Sequence, residues 1–242
     1  MRNIKETKLI LKLRKQGKNN CEISRITGIP RTTVRDVRRC SPILAEATDL
    51  KSVKCGFESH HRHYAYLLGM YLGDGYICKN RRTYRIRISC ATDYPDIIND
   101  VKKSLQGVFK NNKVGIVKKK SKCVDVYCYS NFLPNIFPQH GAGQKHERKI
   151  ILSSWQWIIV NNFNKEFIKG LMHSDGCHYP LNNRKNWQFT NKSIDIIKIT
   201  SISLNKLKIP HKIYKKSDTG QKVIRIGVKN SIKLTNLIGT KS

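Results

Sequence analysis

The chain has 242 residues, and its 47 lysines and arginines outnumber its 16 acids, which gives a formal net charge of +31 at pH 7. A hydrophobic content of 39% is enough to build a packed core, so the composition excludes a disordered basic protein. A charge of this size indicates a polyanionic partner, and double-stranded DNA is the first expectation.

Membrane and secretion signals are missing from the sequence pattern. No apolar run approaches the roughly 20 residues that a membrane-spanning helix needs, and basic residues interrupt the start of the chain, where a signal peptide would need an apolar core. We therefore expect a soluble, cytoplasmic protein of prokaryotic or phage type.

The eight cysteines form no CxxC pair, which favours reduced thiols. One cluster could bind a metal or could face phosphate or solvent: Cys55, His60, His61 and His63.

Residues 1 to 40 are typical of a small helical DNA-binding domain. A basic amphipathic helix runs to Gly17, and a second helix ends at Gly28, where a turn needs a left-handed backbone. Pro30 suits the start of a third helix. The expected core residues are Ile23, Ile29, Val34 and Val37. This stretch resembles the helix-turn-helix of DNA invertases and bacterial regulators, with an unrelated three-helix bundle as the alternative.

The third helix, Arg31 to Arg39, would then lie in the major groove as a recognition helix. The residues near base edges would be Arg31, Thr32, Thr33 and Arg35, and the residues at phosphates would be Arg38 and Arg39. Acids interrupt the basic charge after this helix. We predict a linker at 41–62, a first half at 63–140, a connector at 141–164 and a second half at 165–242.

A short apolar motif occurs once in each half and ends both times in Asp-Gly. The acids, Asp74 and Asp175, are 101 positions apart (175 minus 74). In each copy two small residues are four positions apart and so share one helical face: Gly69 with Gly73, and Gly170 with Ser174. Glycine inside a helix costs about 1 kcal/mol relative to alanine. The pattern therefore predicts two motif helices that pack backbone to backbone, with Gly75 and Gly176 as their C-caps.

The segments after the two motifs also repeat each other. In the first half, the pattern predicts a strand at 84–89, a helix at 94–108, a hairpin at 113–120 and 123–129, and a closing helix at 131–137. In the second half, it predicts a strand at 187–190, a helix at 193–208, a hairpin at 211–216 and 222–228, and a closing helix at 231–238. An internal duplication of this kind predicts pseudo-two-fold symmetry within one chain, and hence a monomer.

Two motif helices that cross about such an axis would bring Asp74 and Asp175 together. The carboxylates would repel each other and the helix dipoles, and a divalent cation would relieve that repulsion. Oxygen ligands favour Mg²⁺, or Mn²⁺, over zinc. In a basic protein the chemistry expected of such a site is hydrolysis of a phosphodiester.

The two motifs resemble the LAGLIDADG motif of homing endonucleases, in the single-chain form that carries both copies. The resemblance spans about residues 64 to 238. It implies an α+β fold of two αββαββα halves with saddle-shaped antiparallel sheets, preceded here by the small helical domain. It implies Asp74 and Asp175 as catalytic metal ligands and double-strand cleavage with short 3′ overhangs. Two departures are Leu72 and His173, which stand where the family name shows Asp.

The resemblance also suggests which basic residues serve the site. The segment from Phe137 to Ile150 is similar to a loop before the family's second motif, so Lys145, His146 and Arg148 are candidates to neutralise charge in the reaction, or simply to contact phosphate. In the sheets, arginines alternate with isoleucines and would face DNA. The candidate DNA contacts there are Arg85, Arg87, Lys118, Lys120, Lys216 and Arg225.

Three functions remain open from the sequence. A site-specific, metal-dependent DNA endonuclease is favoured by the two acids. A DNA-binding regulator that does not cleave is compatible with the helix-turn-helix pattern, and an RNA maturase shares the same scaffold. The target sequence cannot be predicted from the chain.

Overall fold

The computed structural model describes residues 4–40, 56–119, 121–181, 184–216 and 220–241. The chain divides into two compact units, Met1–Glu58 and Ser59–Ser242. Most of the predicted linker, residues 41–55, lies outside the described residues. None of the described helices is long and apolar enough to cross a membrane.

Residues 4–40 of the first unit form three helices, α1 (Ile4–Lys15), α2 (Asn20–Thr27) and α3 (Arg31–Cys40). Helix α2 begins with a capping box. The Asn19 side chain accepts hydrogen bonds from backbone N–H groups of the first turn, and the Glu22 carboxylate accepts one from Asn19 N at 2.7 Å. It ends at Gly28, whose φ of 67° is the left-handed conformation expected at the turn. Helix α2 packs on α3, and α1 contacts both.

The core of this unit includes two of the residues predicted to be buried. Ile23 and Val34 are fully buried, and Ile29 is half-buried. The side chain of Val37 lies outside the described residues. The three helices are compatible with the helix-turn-helix interpretation, which stays a prediction.

The second unit has a mixed α+β fold, as predicted. Its elements are α4 (Gly56–Asp74), β1 (Gly75–Lys79), β2 (Tyr84–Ala91), α5 (Pro95–Val108), β3 (Val114–Lys118), β4 (Cys123–Tyr129), α6 (Leu133–Ile136), α7 (Ser154–Asn162), α8 (Asn164–Ser174), β5 (Gly176–Leu181), β6 (Arg184–Asn191), α9 (Ile194–Lys206), β7 (Lys212–Lys215), β8 (Lys222–Arg225) and α10 (Val228–Ile238). The strands form two antiparallel sheets in the orders β1-β2-β4-β3 and β5-β6-β8-β7.

Each sheet buries one face and leaves the other open, because side chains alternate along a strand. On β2, Ile86 and Ile88 are fully buried and pair with buried residues of β4, while Arg85 and Arg87 point to the opposite face. Among the described side chains of β6, the buried hydrophobic ones are Trp187 and Phe189. The two halves therefore repeat the same layers, with helices on the inner faces of both sheets.

The αββαββα order includes a strand directly after each motif, but the sequence pattern located none there, because the two Asp-Gly glycines were interpreted as helix C-caps. The prediction that Gly75 and Gly176 are helix C-caps is wrong, since neither has a positive φ and each is the first residue of a strand. They are glycines because a Cβ at Gly75 would lie 2.5 Å from Tyr71 Cα, and one at Gly176 would lie 2.7 Å from Met172 Cα. The chain thus turns from helix to strand against its own last helical turn.

The connector between the halves contains more structure than predicted. A 3₁₀ turn at Lys145–Glu147 and helix α7 lie within it. The fully buried Gln156 of α7 donates to Tyr64 Oη at 2.8 Å and exchanges bonds with Gln139, and Tyr64 donates to Ile136 O at 2.5 Å. These buried polar groups are paired with one another, which attaches the connector firmly to α4.

Candidate metal centre and nucleic-acid interface

The motif helices α4 and α8 touch through their small residues. A Cβ added to Gly69 would meet the backbone of α8, including Leu171 N at 2.7 Å, and one added to Gly170 would meet Tyr66 O and Met70 N of α4. A Cβ on Gly73 would overlap the Ser174 side chain. All four positions predicted to form the helix interface therefore lie at the crossing.

The crossing brings the ends of both helices, with Asp74 and Asp175, to one place. Burial raises the pKa of Asp175 to about 6, and the nearby Asp74 carboxylate adds to the effect. Asp74 as a whole residue is more exposed to solvent. Burial of its carboxyl group still raises the pKa, while the charges of Lys241 and Lys145 lower it in part. Two neighbouring acids whose pKa values are both raised need a cation before both are ionised at low cost.

A lysine closes the end of each motif helix. Lys145 Nζ donates to Tyr71 O at 2.5 Å and Gly73 O at 2.7 Å at the end of α4. Lys241 Nζ donates to Ser174 O at 3.1 Å and Gly176 O at 3.0 Å at the end of α8. Cations at helix C-termini offset the negative end of the helix dipole. Burial lowers the pKa of Lys145 to about 8, against the opposing effect of the two aspartates.

The other two basic candidates of the same loop have different surroundings. Arg148 Nη1 donates to carbonyls of the loop itself, those of Gly141, Ala142 (3.0 Å) and Gly143 (3.4 Å). His146 is exposed on the 3₁₀ turn beside Lys145. Lys145 and Arg148 both reach the motif helix, since Lys145 bonds to carbonyls of α4 and Arg148 hydrogen-bonds to the side chain of Tyr71.

Sequence reasoning missed Lys241 and Asn191. Asn191 Nδ2 donates to Asp175 Oδ2 at 2.6 Å from the end of β6. Strand register gives the matching position in the first half to Cys90, since Gly75 pairs with Ile88 and Gly176 with Phe189. The two halves are therefore unequal around the acids. The only sequence signal for Lys241 was its place after the second closing helix, which matches that of Lys145 after the first.

The donor set fits an oxygen-liganded divalent cation. Among the described residues, no third His, Cys, Asp or Glu joins the two aspartates to complete a protein cage. Mg²⁺ is commonly held by one or two carboxylates, with substrate phosphates and water as the remaining ligands. Asp74 and Asp175 would supply the carboxylates of such a site.

The open faces of the sheets carry arginine beside tyrosine. On the first sheet the Arg87 guanidinium lies 5.1 Å from the ring centre of Tyr76. On the second, Arg225 lies 5.6 Å from the ring of Tyr179 and 5.3 Å from that of Tyr214. These contacts hold the guanidinium groups over the sheet surface, where they are available to phosphate or base edges.

The remaining predicted DNA contacts differ in exposure. Lys118 and Lys216 are exposed, as are Arg31, Thr32 and Arg35 on α3. Thr33 does not fit its predicted role near base edges, because its side chain is 6% exposed and packs inside the first unit. Lys120 and the side chains of Arg38 and Arg39 lie outside the described residues.

Two αββαββα halves, crossed at small-residue helices that each end in an aspartate, define the two-motif LAGLIDADG fold. Residues 162–239 match the family model described as a LAGLIDADG-like domain, so the chain carries this domain in its second half.

Solved structures show the same fold over both halves. Mesophilic variants of the homing endonuclease I-DmoI align with a TM-score of 0.55 and 23% identity, over 74% of this chain and 90% of that one. I-DmoI in complex with DNA and Mn aligns with a TM-score of 0.54 and 21% identity, over 76% and 99%. I-DmoI with DNA and Ca aligns with a TM-score of 0.54 and 23% identity, over 74% and 90%. A comparison with curated proteins found no significant match.

Proposed function

We propose that this protein is a site-specific endonuclease that hydrolyses both strands of a DNA duplex with a divalent cation held by Asp74 and Asp175. The observation that carries the proposal is the convergence of these two acids, one from each half, between two lysines. The association of I-DmoI with DNA and Mn supports the same interpretation. The net charge of +31 provides the attraction to DNA.

The protein residues have separate parts in this chemistry. Bound Mg²⁺ or Mn²⁺ would stabilise charge on the phosphate and activate water. Asp74 and Asp175 hold the cation, and Asn191 fixes the orientation of the Asp175 carboxylate. Lys145 caps the end of α4 and Lys241 caps the end of α8, and both place positive charge beside the phosphate that is attacked. The pseudo-symmetry provides one such lysine for each strand.

The two sheets would lie in the major groove, with Arg85, Arg87 and Arg225 on the faces that meet DNA. The first unit would extend the contact with DNA through the exposed residues of α3. A monomer is sufficient for this arrangement, since both halves of the site come from one chain.

The test is a cleavage assay beside a gel shift on a duplex that the protein selects from a random library. We expect cleavage that requires Mg²⁺ or Mn²⁺ and stops in EDTA. Asp74→Asn or Asp175→Asn should abolish cleavage and keep binding, because each removes a ligand and one charge that repels phosphate. Lys241→Met should reduce cleavage more than binding.

Asp100→Asn is the matched control. It removes the same charge from a partly exposed ion pair with Lys169, 2.7 Å away on the flank of the motif helices, and such pairs contribute little to stability. It should cut DNA as wild type does. Full cleavage by Asp74→Asn or Asp175→Asn would contradict the assignment of the site.

A DNA-binding regulator that does not cleave is the second candidate, and the three helices described in the first unit are compatible with either function. The same assay separates the two functions. Specific binding without cleavage, in wild-type protein supplied with either metal, would identify the regulator.

A further inference from the structure

The open face of the first sheet carries one acid that the proposed chemistry does not use. In the eight strands that the structure describes, Asp125 of β4 is the sole acidic residue. It pairs with Ser89 of β2, on the face that also presents Arg85 and Arg87. A carboxylate on a surface that meets phosphates is repelled by them, so its presence there indicates a specific partner.

Asp125 belongs to a closed set of three side chains, which we call the acid–lysine cluster: Ser89, Lys119 and Asp125. Ser89 Oγ donates to Asp125 Oδ1 at 2.6 Å, and Lys119 Nζ lies 2.7 Å from the same oxygen. Lys119 Nζ also donates to Ser89 Oγ at 3.0 Å. The lysine is therefore held in place rather than free to sample many rotamers, and both bonds to the carboxylate fall on one of its two oxygens.

The charge state of the cluster is well defined. Partial burial by itself would raise the pKa of Asp125, but the hydrogen bonds from Lys119 and Ser89 and the charges of Lys119 and Arg87 outweigh that effect, so the pKa is lowered. The side chain of Lys119 is 37% exposed and that of Asp125 is 12% exposed. The surface thus presents an ammonium donor directly beside a carboxylate acceptor.

At the matching strand positions that the structure describes, the second half has no such cluster. Strand register puts Thr190 at the position that matches Ser89, and Thr190 pairs with Val223 where Ser89 pairs with Asp125. Val223 is uncharged and 1% exposed. The two sheets therefore offer different chemistry at equivalent distances from the paired acids.

We propose that the acid–lysine cluster recognises a G·C base pair in the half-site under the first sheet, and that the second half has no equivalent preference. In the major groove, guanine presents two adjacent acceptors, O6 and N7, beside the N4 amino donor of cytosine. Lys119 matches the guanine acceptors and Asp125 matches the cytosine amino group. An A·T pair offers the lysine one acceptor on adenine, and its thymine O4 would repel the carboxylate.

This inference rests on the proposed DNA-binding function and adds an asymmetry to the target. The experiment is selection of bound duplexes from a random library by the full chain in EDTA, followed by affinity measurements on single-base variants of the selected site. The proteins are wild type, Asp125→Asn, Lys119→Met and Lys118→Met. Lys118 is the control, because it is an exposed neighbour that also carries one positive charge.

We expect wild type to prefer G·C over A·T by about tenfold at one position of one half-site. Asp125→Asn and Lys119→Met should each remove that preference while retaining selection elsewhere in the site. Lys118→Met should keep the preference, because Lys118 pairs with Val124 of the buried face and so points away from the face that carries Asp125. Thermal melts that match wild type would show that the variants are folded.

The outcomes separate the two proposals. If wild type selects no sequence at all, the proposed function itself fails. If wild type selects a site, and Asp125→Asn selects the same bases with the same discrimination, the inference about the cluster is wrong while the function stands. Selection of adenine at the position that Asp125→Asn changes would also overturn the G·C assignment.

Discussion

The contact between the motif helices predicts that an alanine there lowers folding stability, whereas helix propensity alone would predict a gain. Gly170→Ala should destabilise the second unit, although alanine stabilises an isolated helix by about 1 kcal/mol relative to glycine. The added Cβ would overlap Tyr66 O and lie 3.0 Å from Met70 N. Both atoms belong to the backbone of α4, so no side chain can rotate away and the helices must separate.

The magnitude follows from these contacts. Overpacking costs about 1–3 kcal/mol where side chains can adjust, and a backbone contact lies at the upper end of that range. After the gain in helix propensity of about 1 kcal/mol is subtracted, we expect a net loss of about 2 kcal/mol. For a unit of this size that is a decrease in Tm of roughly 4–8 °C.

Thermal unfolding followed by tryptophan fluorescence measures this loss in the right part of the molecule, because all three tryptophans, Trp155, Trp157 and Trp187, lie in the second unit. Gly227→Ala is the control, since its φ of −67° suits alanine and a Cβ there would meet nothing within 4 Å. It should change Tm little. A Tm for Gly170→Ala at or above that of wild type would refute close backbone packing of α4 and α8.

Three further predictions follow. In metal-free protein, Asp175→Asn should raise Tm at pH 7 and have little effect at pH 4. The folded-state pKa of Asp175, about 6, lies above its ordinary value of 3.8, so the stability that the protonated carboxyl contributes is lost as pH rises through 6. Thermal melts in EDTA at both pH values measure the difference. Arg85→Ala and Arg87→Ala should each weaken specific binding and relax the preference at a few base pairs. The expected loss of binding free energy is about 1–3 kcal/mol per base contact. If both variants bind every target variant as wild type does, this face does not contact bases. Deletion of residues 1 to about 50 should leave a folded core that cleaves at high protein concentration but binds DNA more weakly and with a shallower salt dependence, because fewer phosphates are neutralised; a truncated protein that binds normally and cannot cut would show that the first unit helps to assemble the active site.

The sequence alone was sufficient for the repeat, the two acids and the small residues between the motif helices. These features depend on local patterns, because helical periodicity and the four-residue spacing of small side chains are visible along the chain. The alternation of Arg85 and Arg87 with buried isoleucines likewise predicted the open face of β2. Helix limits were less certain, and the helix predicted at 131–137 is a single turn, Leu133–Ile136.

Tertiary structure decided everything that depends on pairs distant in the chain. Lys241 reaches Ser174 O across 67 positions, and Asn191 reaches the Asp175 carboxylate from a separate strand. The partnership of Ser89, Lys119 and Asp125 required the register of β2 against β4. Gly75 and Gly176 appeared in the sequence to be helix caps, but each is required because a strand starts against the last turn of its own helix. Such contacts are set by how the folded elements meet in space, and no local pattern encodes them.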